Sequence, residues 1–168
     1  MTCDRGGFTL VEMLVVVAIA VLLVTAIGGV TAGLMRSTTQ NLRLIEQQDA
    51  MRYALDAIVG QLRRGTSLTY PGLPLDGSLL EVRDEVGKVA VNIPERSEPF
   101  EFGLNGNSVW TRYPSGPICS QIDQLQVGYD QSSGLVTIVM VSRDDIPGVE
   151  RGLPIILRTS VVLRNAGD

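Results

Sequence analysis

One carboxylate, Glu12, stands directly ahead of 23 uncharged, mostly apolar residues, Met13 to Met35. An acid at membrane depth costs about 2.5–3.5 kcal/mol on insertion scales, so its placement asks for a partner. The chemistry open to such a group is charge pairing, in which a cation brought beside it offsets the desolvation of both. The plainer alternative is that Glu12, close to the helix start, snorkels to the headgroups. Both readings stand on position alone.

Little else in the chain is equipped for reaction chemistry. There is no histidine, which removes imidazole bases, Ser-His-Asp arrangements and His-ligated zinc. Asp144, Asp145 and Glu150 sit in a loop with Pro147 and Gly148 and could offer oxygen ligands to calcium, but their spacing fits no EF-hand. A solvated acidic turn is the preferred reading of them. Trp110, Tyr113 and Tyr129 could make a stacking surface or belong to core and rim. Ser115-Gly116 and Ser132-Ser133-Gly134 are turn segments with no accompanying base. Of the two cysteines, Cys3 and Cys119, only Cys119 remains if the first residues are removed, and it reads as a small buried hydrophobe. No catalytic residue, metal site or cofactor is expected, and the chain reads as a non-enzyme. The net charge of −4 gives no basic footprint for nucleic acid.

The element that must position Glu12 is a helix. About 20 apolar residues cross a bilayer core, and Met13–Met35 satisfies that length. The run is long for a secretory signal, although Val30-Thr31-Ala32 could serve as a cleavage site that leaves Gly33 first. A polar stub this short ahead of the span has nothing to fold, which places the C-terminal bulk outside the cytoplasm. Gly28, Gly29 and Gly33 interrupt the run. They permit either close helix packing through small residues or local weakening of the helix.

Past Arg36 the apolar residues Leu42, Ile45, Met51, Leu55, Ile58 and Leu62 continue at helical steps and predict one stripe. Arg63-Arg64-Gly65 predicts the end. A helix from Phe8 to Arg64 would extend roughly 85 Å. Beyond Gly65 the period changes to two. Val89-Val91-Ile93, Phe100-Phe102, Val109–Tyr113, Leu125-Val127-Tyr129, Leu135–Val141 and Ile155–Leu163 read as strands, with a hairpin turn at Asn105-Gly106. The expected fold is α+β: a long N-terminal helix, half transmembrane and half amphipathic, packed on a largely antiparallel β-sheet head. The divisions expected are a leader at 1–7, an apolar helix at 8–35, an amphipathic helix at 36–64 and a head at 65–168.

The string Gly7-Phe8-Thr9-Leu10-Val11-Glu12-Met13-Leu14 and the apolar run behind it resemble the class III signal of type IV prepilins and type II secretion pseudopilins. The resemblance implies cleavage by a prepilin peptidase between Gly7 and Phe8, with methylation of the new Phe8 amine. It also implies that the helix is retained and that Glu12 pairs with Phe8 of a neighbouring subunit. The partners implied are other pilin or pseudopilin subunits, the inner-membrane assembly platform and the inner membrane itself. Residence in that membrane would precede entry into a pilus or periplasmic pseudopilus. Many major pilins carry a proline where Gly29 stands, so the local melting associated with it does not transfer. Arg52–Asp56 through Leu62–Arg64, with Arg158–Asn165, resemble the larger minor pilins and J-type minor pseudopilins, implying a low-copy or tip-initiating subunit. A stand-alone membrane-anchored binding protein and a secreted soluble protein remain as rivals.

Overall fold

The computed structural model describes residues 9–112, 115–145 and 153–164. It begins with one continuous helix, α1 (Leu10–Leu62), of 53 residues. By contacts the chain divides into two compact units, Met1–Leu42 and Arg43–Asp168, with the boundary inside the helix. In the first unit every apolar side chain from Leu10 to Met35 is exposed. That is the state of a segment whose solvent is lipid or another helix, and its length and hydropathy suffice for one membrane crossing. Gly28, Gly29 and Gly33 leave the helix unbroken, and a methyl group added at any of them would meet nothing within 4 Å.

The second unit holds the core. Gln47, Met51, Ala54, Leu55, Ile58 and Leu62 are the buried residues of α1, recurring at the three- and four-residue steps of one helix face. Each fully buried aliphatic side chain contributes roughly 1.5–3 kcal/mol. Leu42 and Ile45, expected on this stripe, are instead 54% and 53% exposed: six residues separate Ile45 from Met51, which at 3.6 residues per turn puts Leu42 and Ile45 on the side of α1 away from the buried face.

Among the described residues nine strands follow: β1 (Ser67–Thr69), β2 (Leu80–Glu81), β3 (Val89–Asn92), β4 (Phe100–Asn105), β5 (Ser108–Thr111), β6 (Gly116–Ser120), β7 (Ile122–Asp130), β8 (Leu135–Ser142) and β9 (Ile156–Val162). They form two sheets, β1-β3-β4-β5-β6 and β2-β7-β8-β9, antiparallel throughout. The inner residues of both sheets, among them Val89, Phe100, Phe102, Leu125, Ile138 and Met140, join the helix stripe in one buried cluster. The α+β class is as the sequence predicts, with the head split into two sheets. The split falls at Gln121, which takes a left-handed backbone (φ 61°) between β6 and β7. The Gln47 side-chain amide ties the helix to the same corner by donating to the Ser120 carbonyl at 2.8 Å.

Two expected turns are present. Asn105 pairs with Ser108 across Gly106 (φ 56°), and Asp130 pairs with Leu135 across a loop that ends at Gly134 (φ 65°). The helix stops at Leu62, before the arginines, and the next turn tightens as Arg64 and Gly65 donate to the carbonyls of Gln61 and Leu62. Gly65 is needed there for a reason other than a left-handed cap. A Cβ on it would collide with the Val91 side chain and approach the Leu62 carbonyl oxygen at 3.2 Å.

Candidate functional site

Gly7 and Phe8 lie outside the described residues, so the description of the site begins at Thr9. The Thr9 carbonyl accepts the Met13 N–H at 3.2 Å, and its hydroxyl oxygen accepts the Glu12 N–H at 3.3 Å. Thr9 is thus the N-cap, closing one of the orphan donors of the first turn, and Glu12 occupies the third helical position. The order Thr-x-x-Glu is that of a capping box, a signal present in the sequence that the reading of Glu12 alone overlooks. An acid in the first turn also meets the positive end of the helix dipole favourably.

Behind this turn the helix satisfies its own polar groups. From Met13 to Met35 the polar side chains are Thr25 and Thr31. Each returns its hydroxyl to a carbonyl four residues back, Thr25 to Val21 at 2.7 Å and Thr31 to Ile27 at 2.8 Å. Such bonds let a threonine enter an apolar medium without an orphaned hydroxyl. The Glu12 carboxylate is different. Among the described residues it has no hydrogen-bond or ion-pair partner, since Thr9 holds only its backbone N–H.

The other constellations separate. Tyr129 is in the core, whereas Trp110 lies half-buried on the outer side of the other sheet. Lys88 places its ammonium 3.5 Å from the centre of the Trp110 ring, and its stem passes over Gly103, which pairs with Trp110. Tyr113 lies outside the described residues, so the three aromatics supply no common stacking surface there. Asp145 is held by Arg143 through paired contacts of 2.5 and 2.6 Å, and that hydrogen bonding lowers its pKa. Glu150, Pro147 and Gly148 lie outside the described residues. Among the described residues no group of three His, Cys, Asp or Glu side chains is placed to hold a metal ion. Cys119 is a buried free cysteine whose thiol is pushed up to about 11 by burial, an environment that suppresses the thiolate.

Residues 3–32 match the family model described as the prokaryotic N-terminal methylation motif. The match covers the segment that carries Gly7, Phe8, Thr9 and Glu12 and ends short of the sheets. No curated protein and no solved structure matches the chain at a significant level. The motif is a class III signal, consistent with a type IV pilin-like precursor, and it implies processing by a prepilin peptidase and assembly with other pilins.

Proposed function

We propose that the chain is a structural subunit of a type IV pilus or of a type II secretion pseudopilus. It is made as a membrane-anchored precursor, cut between Gly7 and Phe8, methylated on Phe8 and drawn from the inner membrane into a filament. The head, outside the cytoplasm, then selects neighbours. The resemblance of Arg52–Arg64 and Arg158–Asn165 to minor subunits favours a low-copy or initiating position.

One observation carries this reading. Beneath a matched methylation motif, Glu12 is the polar side chain of the apolar segment that has no partner among the described residues, while Thr25 and Thr31 satisfy themselves. An α-amino group at Phe8 of the next subunit supplies the missing cation and fixes axial register. The helix dipole favours the carboxylate only modestly, by about 0.3–1 kcal/mol, well short of the insertion penalty. Gly28, Gly29 and Gly33, with open space around them, are positions at which a neighbouring helix can come close.

Glu12→Ala is the test. Membrane insertion and cleavage should continue while incorporation into filaments falls by at least about tenfold, the equivalent of 1.4 kcal/mol. Mass spectrometry of the mature chain should find Phe8 first and one methyl group heavier. A retained leader in cells with an active peptidase, or a chain beginning at Gly33, overturns the proposal. Normal assembly of the Ala variant would overturn the pairing role of Glu12, and absence of the native chain from filaments would reduce the protein to a simple anchor.

A further inference from the structure

Two exposed surfaces in the second unit have opposite charge and comparable length. On α1, Ile45 (53% exposed) and Tyr53 (69%) are turned away from the buried stripe, in line with the exposed acids Glu46, Asp49 and Asp56. Arg52 at the flank leaves this stripe net negative. From Ile45 to Asp56 it is about 16 Å long. In the β2-β7-β8-β9 sheet, β9 turns Leu157 and Val161 inward and leaves Ile156 (62% exposed), Arg158, Ser160 and Val162 (58%) on the outer face. The register puts these beside Val141, Val139, Thr137 and Leu135 of β8, and the Thr137 and Ser160 hydroxyls meet at 2.9 Å on that face. Exposed Arg164 follows just past the strand. Ile156 to Val162 spans about 20 Å. Among the described residues none of Glu46, Asp49, Asp56, Arg158 and Arg164 is in an ion pair. Asp130, two strands in from Val162, is occupied by Ser132 and Ser133, and Asp145, just past the end of β8, by Arg143.

From this complementarity we infer that the outer face of β9 in one copy docks on the Ile45–Asp56 face of α1 in a second copy. Each surface paired with its own kind would set like charges against each other, acids on acids or Arg158 on Arg158. Paired with the other, each apolar pair meets an apolar pair, and the arginines meet the carboxylates. The contact is head-to-tail, so an added copy presents one free surface of each kind, and further copies add in a ring or an open helix according to the rotation between them instead of closing into a two-fold dimer. This rests on the filament reading and adds to it that copies of this chain are neighbours; a low-copy subunit need not be a single-copy one.

Two differently tagged full-length copies, both Cys3→Ser and Cys119→Ala, are expressed together in cells that build the filament. One carries Tyr53→Cys and the other Ser160→Cys, and a short bis-maleimide is added. A mixed-tag adduct is expected only when both cysteines are present. Asp49→Lys with Asp56→Lys on the first copy should cut it by about tenfold or more, and Arg158→Glu with Arg164→Glu on the second should restore it. Restoration excludes simple misfolding as the cause of loss. Adducts between two Tyr53→Cys copies, adducts only to a different protein, or no adduct at all overturn the contact. Filaments that still form and still depend on Glu12 in such an experiment would leave the filament reading intact.

Discussion

Gly65 shows how one residue can be dictated by a neighbour instead of by its own backbone. Its φ is not in the left-handed region, yet any side chain there runs into Val91 on β3 and toward the Leu62 carbonyl. The position also joins helix to sheet, because the Gly65 carbonyl accepts the Arg164 N–H at 3.0 Å and Thr66 donates to Asn92 at 2.9 Å. Gly65→Ala should therefore destabilise the head by about 1–3 kcal/mol, the usual range for overpacking. Urea unfolding checks this, and the cost of Gly65→Ala should be smaller in a Val91→Ala background, itself less stable because Val91 is buried, through relief of the same collision. An unchanged cost in that background would mean that it lies in the Leu62 carbonyl contact. The glycine was legible in the sequence as a helix stop, but its reason was not, since Val91 is 26 residues away and is brought there only by the β1–β3 pairing. Thr9 is the opposite case. Its capping role is local, and Thr-x-x-Glu displays it without any structure.

Among the elements, long strands with clean alternation were legible and short ones were not. β7 and β8 buried the residues expected of them, and Thr137 and Val139 are covered even on the outer side of β8, as its nearly continuous apolar run implied. β2 has two residues and β1 three, too few for any period to register. β6 contains Pro117, which its place at a sheet edge tolerates. The division into two sheets was hidden too, for it depends on pairing partners and on the turn at Gln121. The β7–β8 hairpin offers an element-scale test. Asp130 accepts from the Ser132 N–H at 2.9 Å and from the Ser132 and Ser133 hydroxyls at 2.7 Å each, and these bonds hold its pKa below the ordinary 3.8. A carboxyl whose folded pKa is depressed stabilises the fold above its unfolded value and loses that contribution as pH falls through the folded one. The turn should thus loosen below about pH 4. The protection of the Ser132 and Leu135 amides, taken relative to intrinsic exchange at each pH, should fall there in the native chain, while in Asp130→Asn, which lacks the titration, it should stay level over the same window.

At the scale of the whole molecule, the two compact units divide the chain's apolar residues between two different surroundings. Every buried apolar side chain of the described residues lies between Met51 and Leu163, whereas Leu10 to Met35 buries none. A helix that is apolar all round gains nothing in water, and its stability has to come from lipid or from other helices. The head gains its stability from one closed cluster that includes the last four turns of α1. It follows that residues 36–168 should fold without the apolar segment. That fragment should be soluble without detergent, sediment as a monomer at low concentration and unfold in one cooperative step, while the full chain should partition into membranes. The fragment keeps both the acidic helix face and the basic β9 face, so raising its concentration should give salt-sensitive association that does not stop at a dimer, with the Arg158→Glu, Arg164→Glu variant remaining monomeric. Aggregation at all salt concentrations, unresponsive to those substitutions, would instead locate the stickiness in the core and show that the head needs the first unit to fold. Salt is the discriminating variable because exposed charge pairs are screened within about 8–10 Å at 0.1–0.15 M, whereas exposed core surface associates more strongly as salt rises.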